Sequence, residues 1–443
     1  MMDVTHTLAE FVTNLTYENI PKNAIEYAKT CILDLFGSAF AAIGSPLSTA
    51  ARAFSEEAFG KGEVTQWDTG TKVSLLAATW VNSVLASAMD LDDGNRLAIG
   101  HPGAAIIPAT LATAEQERSQ GRRILEAVIA GYEVAIRLSF SRDPQKIENV
   151  ATGGWGGFGA AIGTAKLLLE SAEMIENTLG LVAMYSPGLP GSFPGGRRMV
   201  KEGISWSAVA GVSSAYLSRS YFTGPENVMD HLPLYNPQKI LDGLGKDFLI
   251  LKTYFKRYPC CRWIHPIIEG CLALIDEGGF QVSHIQRIRI QTFSRAFGLP
   301  NRVHPQTLEE AQFSIPFCCA LAMVRKEKGF YHILKEDLND SNAVSLSEKV
   351  ALEHHPDFDG PFPEKIFSKV TIETSKGRFE RVVSSAKGDS DNPYSEKELQ
   401  EKYLTYASPV LGDKTAMLLM EHIKALEDVP IEEMTKLLTS KTP

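Results

Sequence analysis

The residues best suited to chemistry lie in one stretch of the chain, residues 88–109. It contains Asp90, Asp92 and Asp93, and then His101 directly before a proline and a run of small apolar residues typical of the start of a buried helix. Carboxylates and an imidazole beside a core-forming helix indicate a pocket wall that exchanges protons with a ligand. The alternative is an acidic surface loop in which His101 caps the helix or contacts the core.

A metal site is another hypothesis for this stretch, because residues 90–95 begin like a calcium-binding loop. Such a loop requires a glycine at its sixth position and a bidentate glutamate at its twelfth. This chain has Asn95 and His101 at those positions, so the sequence argues against calcium. A hard divalent ion held by two aspartates remains a less favoured alternative.

A second group of ionisable residues lies in residues 255–265. Lys256, Arg257 and Arg262 place cations close to the thiols of Cys260 and Cys261. Such cations bind carboxylates through charge-assisted hydrogen bonds, which predicts a polycarboxylate ligand. The alternatives are a solvated basic turn over a helix start and a pair of catalytic thiols. Adjacent cysteines cannot readily reach opposite faces of one carbon atom, so the thiol hypothesis is disfavoured.

Two glycine-rich segments lie between these groups. Residues 154–159 match the G-x-G-x-x-G dinucleotide fingerprint, but no strand is predicted before them, and close approach of helices or of a substrate explains these glycines better. Residues 186–201 contain too much proline and glycine to be helical. That loop ends in three further cations, Arg197, Arg198 and Lys201.

Composition limits the class of protein. The 443 residues carry a net charge of −9, with 44% hydrophobic and 22% charged residues, which is typical of a soluble globular chain of two or three domains. The acidic balance argues against a nucleic-acid partner. No membrane-spanning run and no signal peptide are recognisable, so we expect a cytoplasmic protein with reduced cysteines and no metal.

Hydrophobic periodicity predicts a fold of two domains that is mainly α. Helical patterns fill the first half of the chain, at residues 5–14, 21–39, 46–59, 74–89, 106–117, 124–140, 164–169 and 205–218. Strand patterns follow at residues 286–292, 366–374 and 378–383, with helices at 266–276 and 313–324. We therefore expect a large all-helical domain at residues 1–250 and 392–443, with a smaller α+β lid domain inserted at residues 251–391.

Fragments along nearly the whole chain resemble the MmgE/PrpD family. They are residues 32–37 (Ile-Leu-Asp-Leu-Phe-Gly), 81–93, 101–103 (His-Pro-Gly), 200–203 (Val-Lys-Glu-Gly), 221–225, 255–265 and 388–393. The resemblance implies a cofactor-independent homodimer that acts on di- or tricarboxylates by moving a proton at a carbon next to a carboxylate. It also implies catalytic roles for four residues, Asp90, His101, Lys201 and Lys256. The candidates for substrate binding are Arg197, Arg198, Arg257, Arg262, Cys261 and Asp93.

The chain departs from the dehydratases and decarboxylases of this family at groups expected to assist the loss of hydroxide or carbon dioxide. Val150 stands in place of a histidine, Gly94 of a threonine, Cys261 of a histidine and Phe317 of a tyrosine. Proton removal and return need no leaving group. We therefore expect an epimerase that acts by two-base proton transfer on a dicarboxylic amine such as iminodisuccinate. The alternatives are a lyase acting on 2-methylcitrate or cis-aconitate and a catalytically silent carboxylate-binding protein.

Overall fold

Helices form most of the chain up to residue 241 in the computed structural model, which describes residues 3–143, 151–169, 171–186, 199–231 and 234–439. They are α1 (Val4–Asn14), α2 (Lys22–Ala41), α3 (Pro46–Ala58), α4 (Leu75–Ala88), α5 (Pro102–Gln116), α6 (Gly121–Ser141), α7 (Gly156–Leu167), α8 (Ala172–Tyr185), α9 (Ile204–Arg219), α10 (Val228–His231) and α11 (Pro237–Leu241). The helices predicted from periodicity are present here, and α7 extends further toward the N-terminus than predicted.

Glycines on α7 let it pack closely against its neighbours. A Cβ atom at Gly159 would lie 2.6 Å from the Ile106 side chain of α5 and 2.8 Å from the Gly131 carbonyl oxygen of α6. A single helical turn, Thr152–Gly154, precedes α7 in the described chain, where a dinucleotide fold would require a strand. Gly159 therefore serves close helix packing, and the described residues give no support to the dinucleotide hypothesis.

The remaining chain adds strands and returns to helix at its end. Its helices are α12 (His265–Gly278), α13 (Leu308–Gln312), α14 (Ile315–Gly329), α15 (Ser341–Ser347), α16 (Glu396–Leu411), α17 (Asp413–Lys424) and α18 (Ile431–Thr439). The strands of the whole described chain are β1 (Val64–Thr65), β2 (Lys72–Val73), β3 (Gly94–Asn95), β4 (Thr253–Tyr254), β5 (Ile285–Thr292), β6 (Val350–His354), β7 (Ser368–Thr374) and β8 (Gly377–Val383).

One sheet organises the α+β part, with strand order β6-β5-β7-β8. The hairpin β7–β8 turns at Ser375 and Lys376, as the alternation and turn residues predicted. Strand β6 was not predicted. It pairs in parallel with β5 and is only partly buried, so its sequence lacks a clear alternation of apolar and polar residues.

The described residues form two separate large hydrophobic cores. The first contains residues from Val4 to Phe255 together with residues from Tyr403 to Leu438, and the second runs from Tyr258 to Ile372. Helix α16 joins the first core, where Lys402 contacts Asp34 of α2 at 2.6 Å. The prediction of two domains and a mainly α fold is confirmed. The domain boundaries and the lid role of the α+β part stay predictions.

Within the described residues, no single helix has both the length and the apolar character that crossing a membrane requires. Helices α2 and α3 meet the criteria of length and composition only when taken together, and the pair is bent by 94°. All six cysteines are free thiols, and five of them are buried.

Candidate active site

The loop after α4 brings the candidate carboxylates inside the protein. Helix α4 ends at Ala88, and Asp90 then adopts a left-handed conformation with φ of +52°. Strand β3 pairs with β4, which places the loop beside residues 253–256. Asp90, Asp92 and Asp93 are each at most 3% exposed. The stretch is therefore not an acidic surface loop.

Asp90 is the point where two lysines meet. Lys256 Nζ lies 2.9 Å from Asp90 Oδ2 and donates a second hydrogen bond to the Asp90 carbonyl oxygen at 2.8 Å. Lys201 Nζ lies 3.5 Å from Asp90 Oδ1. Burial alone would raise the pKa of Asp90, but the charges of Lys256, Lys201 and His101 hold it well below its usual value. Asp90 is therefore ionised.

Lys256 is fully buried, and its ammonium group stays charged. Burial lowers the pKa of this lysine, but Asp90 and Asp92 outweigh that effect and raise it above its ordinary value. A lysine held in this way does not act as a base near neutral pH. It supplies a fixed positive charge.

Lys201 reaches the site from the turn before α9. It adopts φ of +52° and donates a hydrogen bond to Gln312 Oε1 at 2.6 Å. Its ammonium also lies 5.2 Å from the centre of the Phe313 ring. Both contacts come from the second core, so Lys201 joins the two parts of the chain at the site.

His101 has one ring nitrogen with a fixed role. Nδ1 lies 3.1 Å from the Asp93 carbonyl oxygen and 3.2 Å from Asp92 Oδ2. A backbone carbonyl oxygen can only accept a hydrogen bond, so the contact with Asp93 O places the hydrogen on Nδ1. The titrating nitrogen is then Nε2, which can accept or donate a proton.

The charges around His101 shift its pKa. Burial and the charge of Lys256 lower the pKa of His101, whereas Asp92 and Asp90 raise it, and the net shift is upward. Asp92 was not among the predicted site residues, although it lies in the stretch singled out from the sequence. A carboxylate two residues from Asp90 was visible in the sequence, but its contact with His101 depends on the fold of the loop.

Asp93 was predicted to bind substrate, and the structure uses it differently. Its carboxylate accepts hydrogen bonds from the Tyr132 hydroxyl at 2.6 Å and from the Gly103 backbone N–H at 2.9 Å. Burial, with Asp92 and Asp34 nearby, raises the pKa of Asp93 to about 7. These contacts anchor the start of α5, and a role of Asp93 in substrate binding stays a prediction.

The two arginines of residues 255–265 also have internal partners. Arg257 contacts Glu327 at 2.9 Å, and Arg262 contacts Asp389 at 2.8 Å. Arg262 further donates hydrogen bonds to the carbonyl oxygens of two residues, Ala386 and Lys387. Arg262 also lies 4.8 Å from the centre of the Tyr254 ring, so its guanidinium group borders the acid–base centre while its hydrogen bonds go to internal partners. The predicted residues Arg197 and Arg198 lie outside the described residues, as does Val150.

The adjacent cysteines have different environments. Burial raises the pKa of the Cys260 thiol well above its ordinary value, so this thiol stays protonated. Cys261 is partly exposed, and its backbone N–H donates a hydrogen bond to the Gln312 carbonyl oxygen at 2.9 Å. The environment of Cys260 gives no support to a pair of catalytic thiols.

Tyr254 is a site residue that the sequence did not indicate. Its ring lies over Gly94, where an added Cβ atom would be 2.3 Å from the phenol oxygen. Burial raises its pKa to about 12 although Lys256, Arg96 and Arg262 lower it. Among the described residues the phenol has no hydrogen-bond partner, so it remains a neutral donor next to the Asp90–His101 loop.

This arrangement suits acid–base chemistry on an anion. A histidine nitrogen without a fixed partner can transfer a proton, and buried ammonium groups can stabilise negative charge where water is scarce. Across the described part of the chain, no group of three or more His, Cys, Asp or Glu side chains has an arrangement that could hold a metal ion. Asp90, the first residue of the suspected calcium loop, is already paired with two cations.

The fold and the site define a two-domain protein with a buried acid–base centre between its two cores. The chain belongs to the MmgE/PrpD family, whose N-terminal domain model matches residues 6–232 and whose C-terminal domain model matches residues 258–427. Members of this family are enzymes. The family predicted from sequence fragments is thereby confirmed.

Several relatives are similar over nearly their full length. The cis-aconitate decarboxylase-like protein oryM of Aspergillus oryzae is 25% identical over 99% of this chain and 98% of its own. Cis-aconitate decarboxylase of Aspergillus terreus is 23% identical over 96% and 92%. The human cis-aconitate decarboxylase is 23% identical over 100% and 96%. These names favour the lyase alternative over the epimerase prediction.

Proposed function

We propose that this protein is a cofactor-independent lyase that acts on an unsaturated or hydroxylated tricarboxylate, with chemistry like that of its cis-aconitate decarboxylase relatives. The observation that carries the proposal is the contact of His101 Nδ1 with the Asp93 carbonyl oxygen, which leaves Nε2 as the titrating atom, together with the two buried ammonium groups that meet at Asp90. The similarity of the relatives over nearly their whole length supports the lyase class.

In a decarboxylation, the bond between a substrate carbon and one carboxylate breaks, and its electron pair stays on the substrate while carbon dioxide leaves. The electron pair spreads onto a remaining conjugated carboxylate, where the ammonium groups of Lys201 and Lys256 stabilise it. The protonated Nε2 of His101 then delivers a proton to carbon, which forms the new C–H bond. The raised pKa of His101 suits this acid role.

An epimerase acting on a dicarboxylic amine such as iminodisuccinate is the second candidate. The observation in its favour is that Phe317 and Cys261 stand where the resemblance to family decarboxylases predicts a tyrosine and a histidine, and Phe317 is fully buried. A phenyl ring cannot protonate a leaving group. Removing and returning a proton at one carbon would not need such a group, and Tyr254 or His101 would then serve one face of that carbon.

Proton NMR in heavy water separates these functions. The purified protein is incubated with cis-aconitate, 2-methylcitrate and iminodisuccinate, and His101→Gln serves as the inactive variant. We expect a new product, formed with loss of carbon dioxide or water, and for a decarboxylation one deuterium at either of the two carbons over which the released electron pair is delocalised. Deuterium in otherwise unchanged substrate would support the epimerase. Tight binding without any exchange would identify a carboxylate-binding protein and contradict both enzymatic proposals.

A further inference from the structure

Gln312 uses both ends of its side-chain amide at the candidate site. Its Oε1 accepts the hydrogen bond from Lys201 Nζ at 2.6 Å, and its Nε2 donates to the Ala88 carbonyl oxygen at 3.1 Å. The residue is fully buried. These partners also fix the orientation of the amide, because an ammonium group can only donate and a carbonyl oxygen can only accept.

The backbone of Gln312 belongs to the α+β part of the chain. It ends α13, and its carbonyl oxygen accepts a hydrogen bond from the Cys261 backbone N–H at 2.9 Å. Ala88 ends α4, and Lys201 precedes α9, both of which pack in the first core. The side chain therefore crosses from one core to the other, and it does so at the ammonium group of Lys201.

We infer that Gln312 is a positioning residue through which the α+β part of the protein sets the place of the Lys201 ammonium, and this inference rests on the proposed function. Oε1 accepts a hydrogen bond from Nζ but carries no net charge. The positive charge of Lys201 is therefore not neutralised and stays available to Asp90 and to a bound carboxylate. The donation from Nε2 to Ala88 O fixes the amide against the end of α4, directly before the loop that carries Asp90.

The chemistry of a neutral amide explains why this residue type suits the position. A carboxylate at the same place would pair with Lys201 and neutralise the charge that the substrate requires. An apolar side chain would leave a buried ammonium with Asp90 as its nearest acceptor at 3.5 Å. Both changes preserve the approximate volume of the side chain and alter its electrostatics.

Three variants of Gln312 test the inference. Gln306→Leu is the matched control, because it makes the same exchange at an exposed glutamine of the same segment. We expect Gln312→Leu to lower kcat by ~10- to 100-fold with little change in KM, since a hydrogen bond to a charged group is lost. Gln312→Glu should move the basic limb of the pH–rate profile to higher pH, because a further negative charge at the site raises the pKa of His101, the group proposed as the acid. Gln312→Asn should recover little of the activity, because its shorter side chain cannot reach both partners.

A labelling experiment tests the contact without relying on turnover. Each folded variant is treated with trinitrobenzenesulfonate, and modification of Lys201 and of the exposed Lys252 is measured by mass spectrometry of peptides. We expect Lys201 to react several-fold faster in Gln312→Leu than in the wild type, with Lys252 unchanged. Equal labelling of Lys201 in both proteins would overturn the inference whether or not the enzyme is active.

The two proposals fail in different ways. An inactive wild type, or a Lys201→Met variant with full activity, would contradict the proposed function. An active wild type with normal kcat and an unchanged pH profile in both the Leu and Glu variants of Gln312 would contradict the positioning role alone. If Gln312→Leu does not fold, as judged by thermal unfolding, the pH profile and labelling of Gln312→Glu decide the question.

Discussion

Residues 90–101 and residues 256–265 both concentrate ionisable groups, and the protein uses them differently. In the first stretch, His101 keeps one ring nitrogen free to titrate, and Asp90 joins two lysines. In the second stretch, the guanidinium groups of Arg257 and Arg262 pair with Glu327 and Asp389, and Lys256 is the residue that pairs with Asp90. Charge density alone therefore does not identify a catalytic group, because the partners decide whether a charge remains available to a ligand.

The largest expected effect concerns His101. We expect His101→Gln to lower kcat/KM by ~10²- to 10⁴-fold, because the proton-transferring group is lost, while the melting temperature changes little. Steady-state kinetics on the substrate identified by NMR provide the measurement, with His304→Gln at the exposed surface as control. If the His101 variant keeps more than half of the activity, residues 90–101 do not supply the proton-transferring group, and the two stretches do not differ in the way described.

Lys256 and Arg257 are neighbours in sequence with contrasting partners. We expect Lys256→Met to lower kcat by ~10²-fold or more, because the fixed charge next to Asp90 is lost. Arg257→Met should leave kcat within about 3-fold of the wild type, since its partly exposed ion pair with Glu327 contributes ~1 kcal/mol or less to stability. Kinetics and urea unfolding of both variants test this contrast, and equal losses of activity would contradict it.

Asp93, in the first stretch, is expected to make the free energy of unfolding depend on pH. Its pKa is raised to about 7 in the folded protein, so the folded state holds a proton that the unfolded state releases near pH 4. The stability contributed by this group is present at low pH and is lost as the pH rises toward 7, by at most ~1.4 kcal/mol per pH unit. Urea unfolding between pH 5 and pH 8 should show a smaller decline in Asp93→Asn than in the wild type. Parallel stability curves would show that the carboxyl group does not titrate in this range.

The smallest effect is expected at Tyr254. Replacement by phenylalanine removes only the phenol oxygen that lies over Gly94, and we expect a ~10-fold loss in kcat/KM with unchanged stability. The matched control is Tyr221→Phe, because Tyr221 is 87% exposed. If Tyr254→Phe retains full activity, the phenol has no part in the site, and the acid–base centre is limited to His101 and its lysines.

The sequence alone predicted the helices and strands whose pattern is set by residues close together in the chain. The spacing of Ile25, Ala28 and Ile32 predicted α2, and alternation around a short turn predicted β7 and β8. Strand β6 was not predicted because it is only partly buried and its sequence shows no clear alternation. At the site, the types of Asp90, His101, Lys201 and Lys256 were informative, but the partners of Asp93 and Arg257 could not be predicted because they come from distant elements.

Asp90 and Lys201 share a left-handed backbone conformation, which is uncommon for residues other than glycine, asparagine and aspartate. Lys201 therefore carries a backbone cost that glycine at its position would relieve, whereas the loss of Asp90 would also leave the buried Lys256 ammonium without its closest carboxylate. Laboratory evolution for heat resistance alone, without a demand for turnover, should therefore enrich glycine or asparagine at position 201 and retain Asp90. Persistence of Lys201 under such a regime would mean that its charge is itself required for folding.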